Sequence, residues 1–192
     1  MPEAAKNGGG RMKTVLISAG HSDSDPGACS GVYKEATLAV KMRDRIAKIL
    51  TARGVPVLKD GADGINEPLR KAIGLCGMVG DLAVEIHFNA GPPTATGIEA
   101  LCKPNQKGLA QKLCKAIGNI TGIKLRGDDG YKPDNSGQHH RLGFCEAGGI
   151  ILEVCFISST KDMGAYVSNK EAVAEAVAHV LAVAAGWKPE KI

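Results

Sequence analysis

The chain is short of several things at once. Only 4% of its 192 residues are aromatic, and 24 Lys+Arg against 20 Asp+Glu leave a formal charge of +4, with the charges spread along the sequence. Nucleic-acid binders gather basic residues on one face with aromatics among them, so that class is not expected. No apolar run approaches the ~20 residues that span a bilayer, and no membrane is expected as a partner. The six cysteines form no C-x-x-C pair and sit mostly in apolar company, which reads as small buried hydrophobes in a reducing compartment. Neither G-x-G-x-x-G nor a P-loop Lys-Ser/Thr occurs, which disfavours a nucleotide-binding domain. The sequence shows no internal repeat, and no linker or second domain is expected. Residues 1–11 lack the apolar core of a signal peptide and read as a flexible leader or expression remnant before Met12. The expectation is one domain over 12–192, made in the cytoplasm.

What is present is an alternation of apolar runs and amphipathic stretches. Thr14 to Ala19 is a buried strand that breaks at Gly20-His21 into a polar loop. Glu35 to Arg53 carries Leu38, Met42, Ile46, Ile49 and Leu50 at helical spacing, with Lys41, Arg43, Arg45 and Lys48 on its polar positions, and Gly54 ends it. Val55 to Leu58 is a short strand, and Asn66-Glu67-Pro68 caps a helix reaching Val79. Leu82 to Phe88 and Gly97 to Cys102 are strands, and a helix follows from Pro104 to Gly118. Gly127 to Arg141 is an aperiodic loop, Gly149 to Phe156 a central strand, and Asn169 to Ala185 a closing helix. This order predicts an α/β fold, a single domain with a twisted, mostly parallel central sheet and helices on both faces.

Three of these strands place a metal-competent or acid/base group near their carboxyl ends, where α/β sheets bind ligands: His21, His87 and Glu153. Glu35, opening the helix after the His21 loop, is the fourth. Two imidazoles and a carboxylate with an open position make a catalytic zinc site, so His21, Glu35 and His87 are assigned to Zn2+. Glu153 is then the acid/base, unless it is an inward carboxylate paired with a basic residue such as Arg70. A carboxylate among Ile151, Leu152, Val154 and Phe156 needs a cation or a polarised water to face. Such a set suits metal-assisted amide hydrolysis.

With these residues in place, the chain resembles the zinc-dependent N-acetylmuramoyl-L-alanine amidases, the catalytic domain shared by bacterial autolysins and phage endolysins. Four blocks carry the likeness: Ile17 to Ala28, Tyr33-Lys-Glu-Ala36, Glu85-Ile-His-Phe-Asn-Ala90, and Leu152 to Ser158 with Asp162 behind it. Leu69-Arg70, Gly97-Ile-Glu99 and Arg126-Gly127 support it. The resemblance implies the same three ligands, Glu153 as catalytic glutamate, and Arg126 and Asn89 as substrate contacts. It also implies cleavage of the amide between N-acetylmuramic acid and L-alanine of the peptidoglycan stem peptide. A monomeric phage-type lysin acting on the wall after release is expected.

Two departures stand out. Ser18-Ala-Gly-His-Ser-Asp23 replaces the usual Asp-Pro-Gly-His-Gly-Gly, and Glu85 replaces a small residue. Strand period puts Glu85 on the face of His87, where it orients the imidazole or, alternatively, competes as a ligand. His139 and His140 read as solvated, and Asp128, Asp129, Tyr131 and Arg141 as candidate groove residues. Cys29 lies near the site in sequence but would close the open position as a ligand. The alternatives are a catalytically silent peptidoglycan-binding module and another zinc peptidase or amidohydrolase.

Overall fold

The apolar runs become strands. The computed structural model describes residues 6, 7, 10–79, 82–136 and 142–189. Its elements are β1 (Lys6–Asn7), β2 (Gly10–Arg11), β3 (Val15–Ala19), β4 (Cys29–Ser30), β5 (Tyr33–Lys34), α1 (Glu35–Ala52), β6 (Val57–Lys59), α2 (Leu69–Val79), β7 (Ala83–Asn89) and β8 (Glu99–Cys102). A 3-10 turn (Pro104–Gln106), α3 (Lys107–Thr121), β9 (Tyr131–Pro133), α4 (Gly143–Glu146), β10 (Ile150–Phe156) and α5 (Thr160–Ala185) follow. Six strands form one sheet in the order β6-β3-β7-β10-β8-β9. β6, β3, β7 and β10 are mutually parallel, β8 runs against β10, and β9 follows the direction of β8. This is the mostly parallel α/β sheet that the alternation predicts.

Side chains alternate across the sheet and divide the core in two. Val15, Ile17, Val84, Ile86, Leu152 and Val154 pack beneath α1, α3 and α5. On the opposite face Leu16, Ala83, Leu101 and Ile151 meet Ala72 and Cys76 of α2 and Phe144 and Cys145 of α4. Strands covered on both faces need both sets of positions apolar, which is why β3 and β10 read as continuous runs. On the α2 and α4 face the same alternation turns Ser18, Glu85, His87, Glu153, Glu99 and Lys132 to one side. Of the cysteines, all free thiols, five are buried and Cys29 is exposed. No helix among the described residues is long and apolar enough to cross a membrane.

Four local expectations are corrected. The last helix begins at Thr160, not Asn169, because the Ser159 hydroxyl accepts from the Asp162 amide at 3.2 Å and caps it; the Asn169 side chain instead donates to Ala165 O within the helix. The 127–141 segment is not all loop, since Tyr131–Pro133 forms the edge strand β9, a position that tolerates proline. Asn66 does not cap α2; its side-chain amide donates to Gly20 O at 2.7 Å and ties down the start of the His21 loop. Arg43, placed on the polar side of α1, is 0% exposed. His139, His140 and Arg141 lie outside the described residues.

Candidate metal centre

β3 ends at Ala19, and Gly20 and His21 turn off the sheet rim. Glycine is required at position 20 by contact rather than by dihedral angle, since a Cβ there would stand 2.3 Å from the His87 ring. His21 itself adopts a left-handed backbone, φ 68°, a conformation uncommon and costly for a residue with a Cβ. Its Nδ1 is 3.1 Å from Asp25 Oδ2, and Asp25 Oδ1 accepts from the Gly27 amide at 3.0 Å. The loop is thus folded around its histidine.

Glu35, the first residue of α1, is buried and divides its carboxylate between both histidines. Its Oε2 is 2.9 Å from His21 Nε2 and accepts from the Ala28 amide; its Oε1 is 2.9 Å from His87 Nδ1 and accepts from the Phe88 amide. One donor atom from each of the three residues lies within 4.8 Å of the others. Burial opposes a charge on Glu35, yet hydrogen bonds from His21 and His87 hold its carboxyl well below the usual range. The hydrogen bond to Glu35 raises the His21 imidazole. Burial pulls His87 down, but hydrogen bonds to Glu35 and Glu85 carry it well above its ordinary value.

Both imidazoles are built alike. One nitrogen faces the shared point, and the other is held by a carboxylate: Asp25 for His21, and Glu85 Oε2, 3.1 Å from Nε2, for His87. Glu85 therefore lies on the far side of the imidazole from Glu35. Beneath it runs a buried polar chain that the sequence did not disclose. Ser18 Oγ is 3.0 Å from Asp60 Oδ2 and 3.4 Å from Glu85 Oε1, and Asp60 pairs with Arg43 at 2.8 Å. Arg43 also donates to Ala62 O and Ile65 O. The loop after β6, α1, β3 and β7 are joined through this network directly behind His87.

Glu153 stands beside His87 in register on β10, with Glu99 of β8 on its other side. It has no ion pair with Arg70 or any other described residue, and its Oε2 is enclosed without a hydrogen-bond partner. Burial pushes the carboxyl up to about 7 against the opposing pull of His87. A cleft of about 460 Å³ opens beside the histidines, with Pro68, Leu69, Leu142, Phe144 and Ile151 as its apolar wall. Across the rim, Glu99 accepts from Arg126 Nε and from Asn89 Nδ2, the latter at 2.8 Å. Asp128 and Asp129 instead pair with Lys107 and Lys115 of α3, and Tyr131 is buried.

The site is thus a buried carboxylate between two imidazoles, with a second, unpartnered carboxylate alongside. The family model described as N-acetylmuramoyl-L-alanine amidase matches residues 15–183. The chain belongs to the N-acetylmuramoyl-L-alanine amidase family. Membership supports peptidoglycan amidase activity. The crystal structure of a candidate N-acetylmuramoyl-L-alanine amidase from Neisseria meningitidis is similar at TM-score 0.84 and 45% identity, covering 92% of this chain and 97% of that one. The endolysin of Bacillus phage SPP1 is 30% identical over 128 residues, 60% of this chain and 46% of that protein. The catalytic domain of CwlV from Bacillus (Paenibacillus) polymyxa var. colistinus, at 22% identity and TM-score 0.77, covers 92% of this chain and 100% of its own. At that identity the likeness is one of fold.

Proposed function

We propose that the chain hydrolyses the amide between the lactyl group of N-acetylmuramic acid and L-alanine of the stem peptide as a zinc enzyme. In this reading His21, Glu35 and His87 hold the ion and Glu153 serves as acid and base. The observation that carries it is the convergence of three donor atoms within 4.8 Å, with the enclosed, unpartnered Glu153 Oε2 one strand away. Two imidazole nitrogens and one carboxylate oxygen, each imidazole backed by a further carboxylate, suit a catalytic rather than a structural zinc. A bound zinc ion supplies a polarised carbonyl and a water acidic enough to lose a proton near neutrality.

The remaining work falls to Glu153. A carboxyl poised near neutrality takes the proton of the attacking water and delivers it to the nitrogen of the departing L-alanine, so that the enzyme ends each turnover as it began. Asp25 and Glu85 keep the imidazoles oriented. Arg126 is placed to meet the stem peptide, and Asn89, whose amide is given to Glu99, acts by fixing that carboxylate.

The likeness to the SPP1 endolysin supports a phage-type lysin that works on the wall. Product analysis of digested peptidoglycan tests the reading. A new L-alanine amino terminus is expected, whereas freed D-alanine would indicate a carboxypeptidase, and binding without products a silent module.

A further inference from the structure

Glu99 gathers more positive charge than it neutralises. Besides Arg126 Nε, its Oε2 receives Lys132 Nζ at 2.7 Å, so two cations share one buried carboxylate. Arg126 Nη1 reaches Thr96 O at 3.3 Å, its guanidinium lies 4.9 Å over the Phe156 ring, and Nη2 has no partner among the described residues. The two side chains remain 34% and 27% exposed. Gly97 leaves the space for this: a Cβ there would stand 2.5 Å from Arg126 Cγ. Two cationic side chains on one carboxylate are therefore held at the rim, each partly open to solvent.

Its place in the sheet gives it a direction. The ligand histidines come from the end of β3 and from β7, Glu153 from the next strand, β10, Glu99 and Lys132 from the strands beyond it, β8 and β9, and Arg126 from the segment bridged to Ile98 just before β8. If Glu153 protonates the departing amine, the amine half of the substrate lies on its side of the ions' site and runs toward β8. From that nitrogen to the α-carboxylate of the residue after L-alanine is one Cα–Cα step and two bonds, roughly 6 Å. One strand spacing separates the backbone of Glu153 from that of Glu99, which holds both cations, and two separate it from that of Lys132, about 5 and 10 Å. The third stem residue lies further along the chain.

We propose that Arg126 and Lys132, clamped by Glu99, form a subsite for a free stem-peptide carboxylate, that of the residue following L-alanine, and so favour acidic over amidated stems. This rests on the reading of Glu153 given above. Only a carboxylate complements two cations held by one counter-charge; a carboxamide leaves them underpaired.

Three synthetic muramoyl tetrapeptides test it. The first has a free second-residue carboxylate and a third residue bearing a side-chain carboxylate; the second is amidated at the second residue only; the third keeps the free carboxylate and has lysine third. The wild type is expected to favour the first and third over the second by roughly tenfold in KM at similar kcat, as a charge-assisted hydrogen bond allows. Lys132→Gln, which leaves Arg126 on Glu99, erases most of that difference, and Lys132→Arg retains it. Equal KM for all three, or a Lys132→Gln loss shared equally by all, overturns the subsite. Preference for the first over the third, with the second equal to the first, moves the carboxylate to the third residue and overturns it too. If no substrate releases an L-alanine amino terminus, the amidase reading fails first and the subsite with it.

Discussion

Replacing Glu153 with glutamine should make the metal-free protein more stable, and increasingly so as pH rises. Burial lifts this carboxyl from 4.5 to about 7, so its folded form holds the proton more tightly than the unfolded chain does. Below 4.5 both states are protonated and there is no cost. Between 4.5 and 7 the unfolded chain has released a proton that the folded protein keeps, and stability falls by about 1.4 kcal/mol per pH unit. Above 7 the loss is complete. The cost is about 1 kcal/mol at pH 5 and about 3 kcal/mol at pH 8.

Glutamine fills the same space and does not ionise, so the stability gap between variant and wild type should widen by about 2–3 kcal/mol from pH 5 to pH 8. That corresponds to roughly 5–10 °C in Tm for a chain of this size. Urea denaturation of chelator-treated protein at the two pH values measures it directly. A gap that does not change with pH, or that narrows, would refute this account of Glu153. Adding zinc should shrink the gap, because a nearby cation favours the carboxylate. The same substitution should abolish turnover, an instance of activity set against stability.

Other outcomes follow from the same geometry. Excess chelator should abolish wall lysis and zinc restore it; full activity after exhaustive chelation would remove the metal from the proposal. Gly20→Ala should drive the His87 ring from its place, lowering zinc affinity by roughly 10–100-fold while circular dichroism stays that of the wild type. Asp25→Ala and Glu85→Ala, which each free one imidazole nitrogen, should weaken zinc binding over a similar range in competition with a chromophoric chelator, Asp25→Ala through His21 and Glu85→Ala through His87. Arg43→Met leaves Asp60 charged and buried without its partner and should cost about 3–5 kcal/mol in chemical denaturation.

The principal strands and the group each delivers could be read from the sequence because a strand buried on both faces is a nearly unbroken apolar run, and a polar residue within it or just past its end is conspicuous. His21, His87 and Glu153 all stood out in that way. Helix periodicity found α1 but misassigned Arg43, since a charged residue between apolar turns looks solvated unless its partners are known. Beyond the adjacent Asp44, those partners, Asp60 and two loop carbonyls, are 17 to 22 residues away and belong to a loop without pattern. The early start of α5 was obscured by Gly164 and Ser168-Asn169, poor helix formers in a helix that packing sustains. Lys132 and Glu99 were hidden for another reason. Their meeting depends on β8 and β9 running against the other strands, and direction leaves no trace in a three- or four-residue run.

The strand order has a consequence for how the chain is made. β10 is the last of the sheet's six strands to be synthesised, yet it sits between β7 and β8, which leave the ribosome some sixty and fifty residues earlier. Until it emerges, the nascent chain carries two unfinished halves with unpaired edges, a condition that invites pairing with other chains. The strand that completes the sheet also brings Glu153. On the proposed role of Glu153, assembly of the fold and arming of the hydrolase are thereby a single late event.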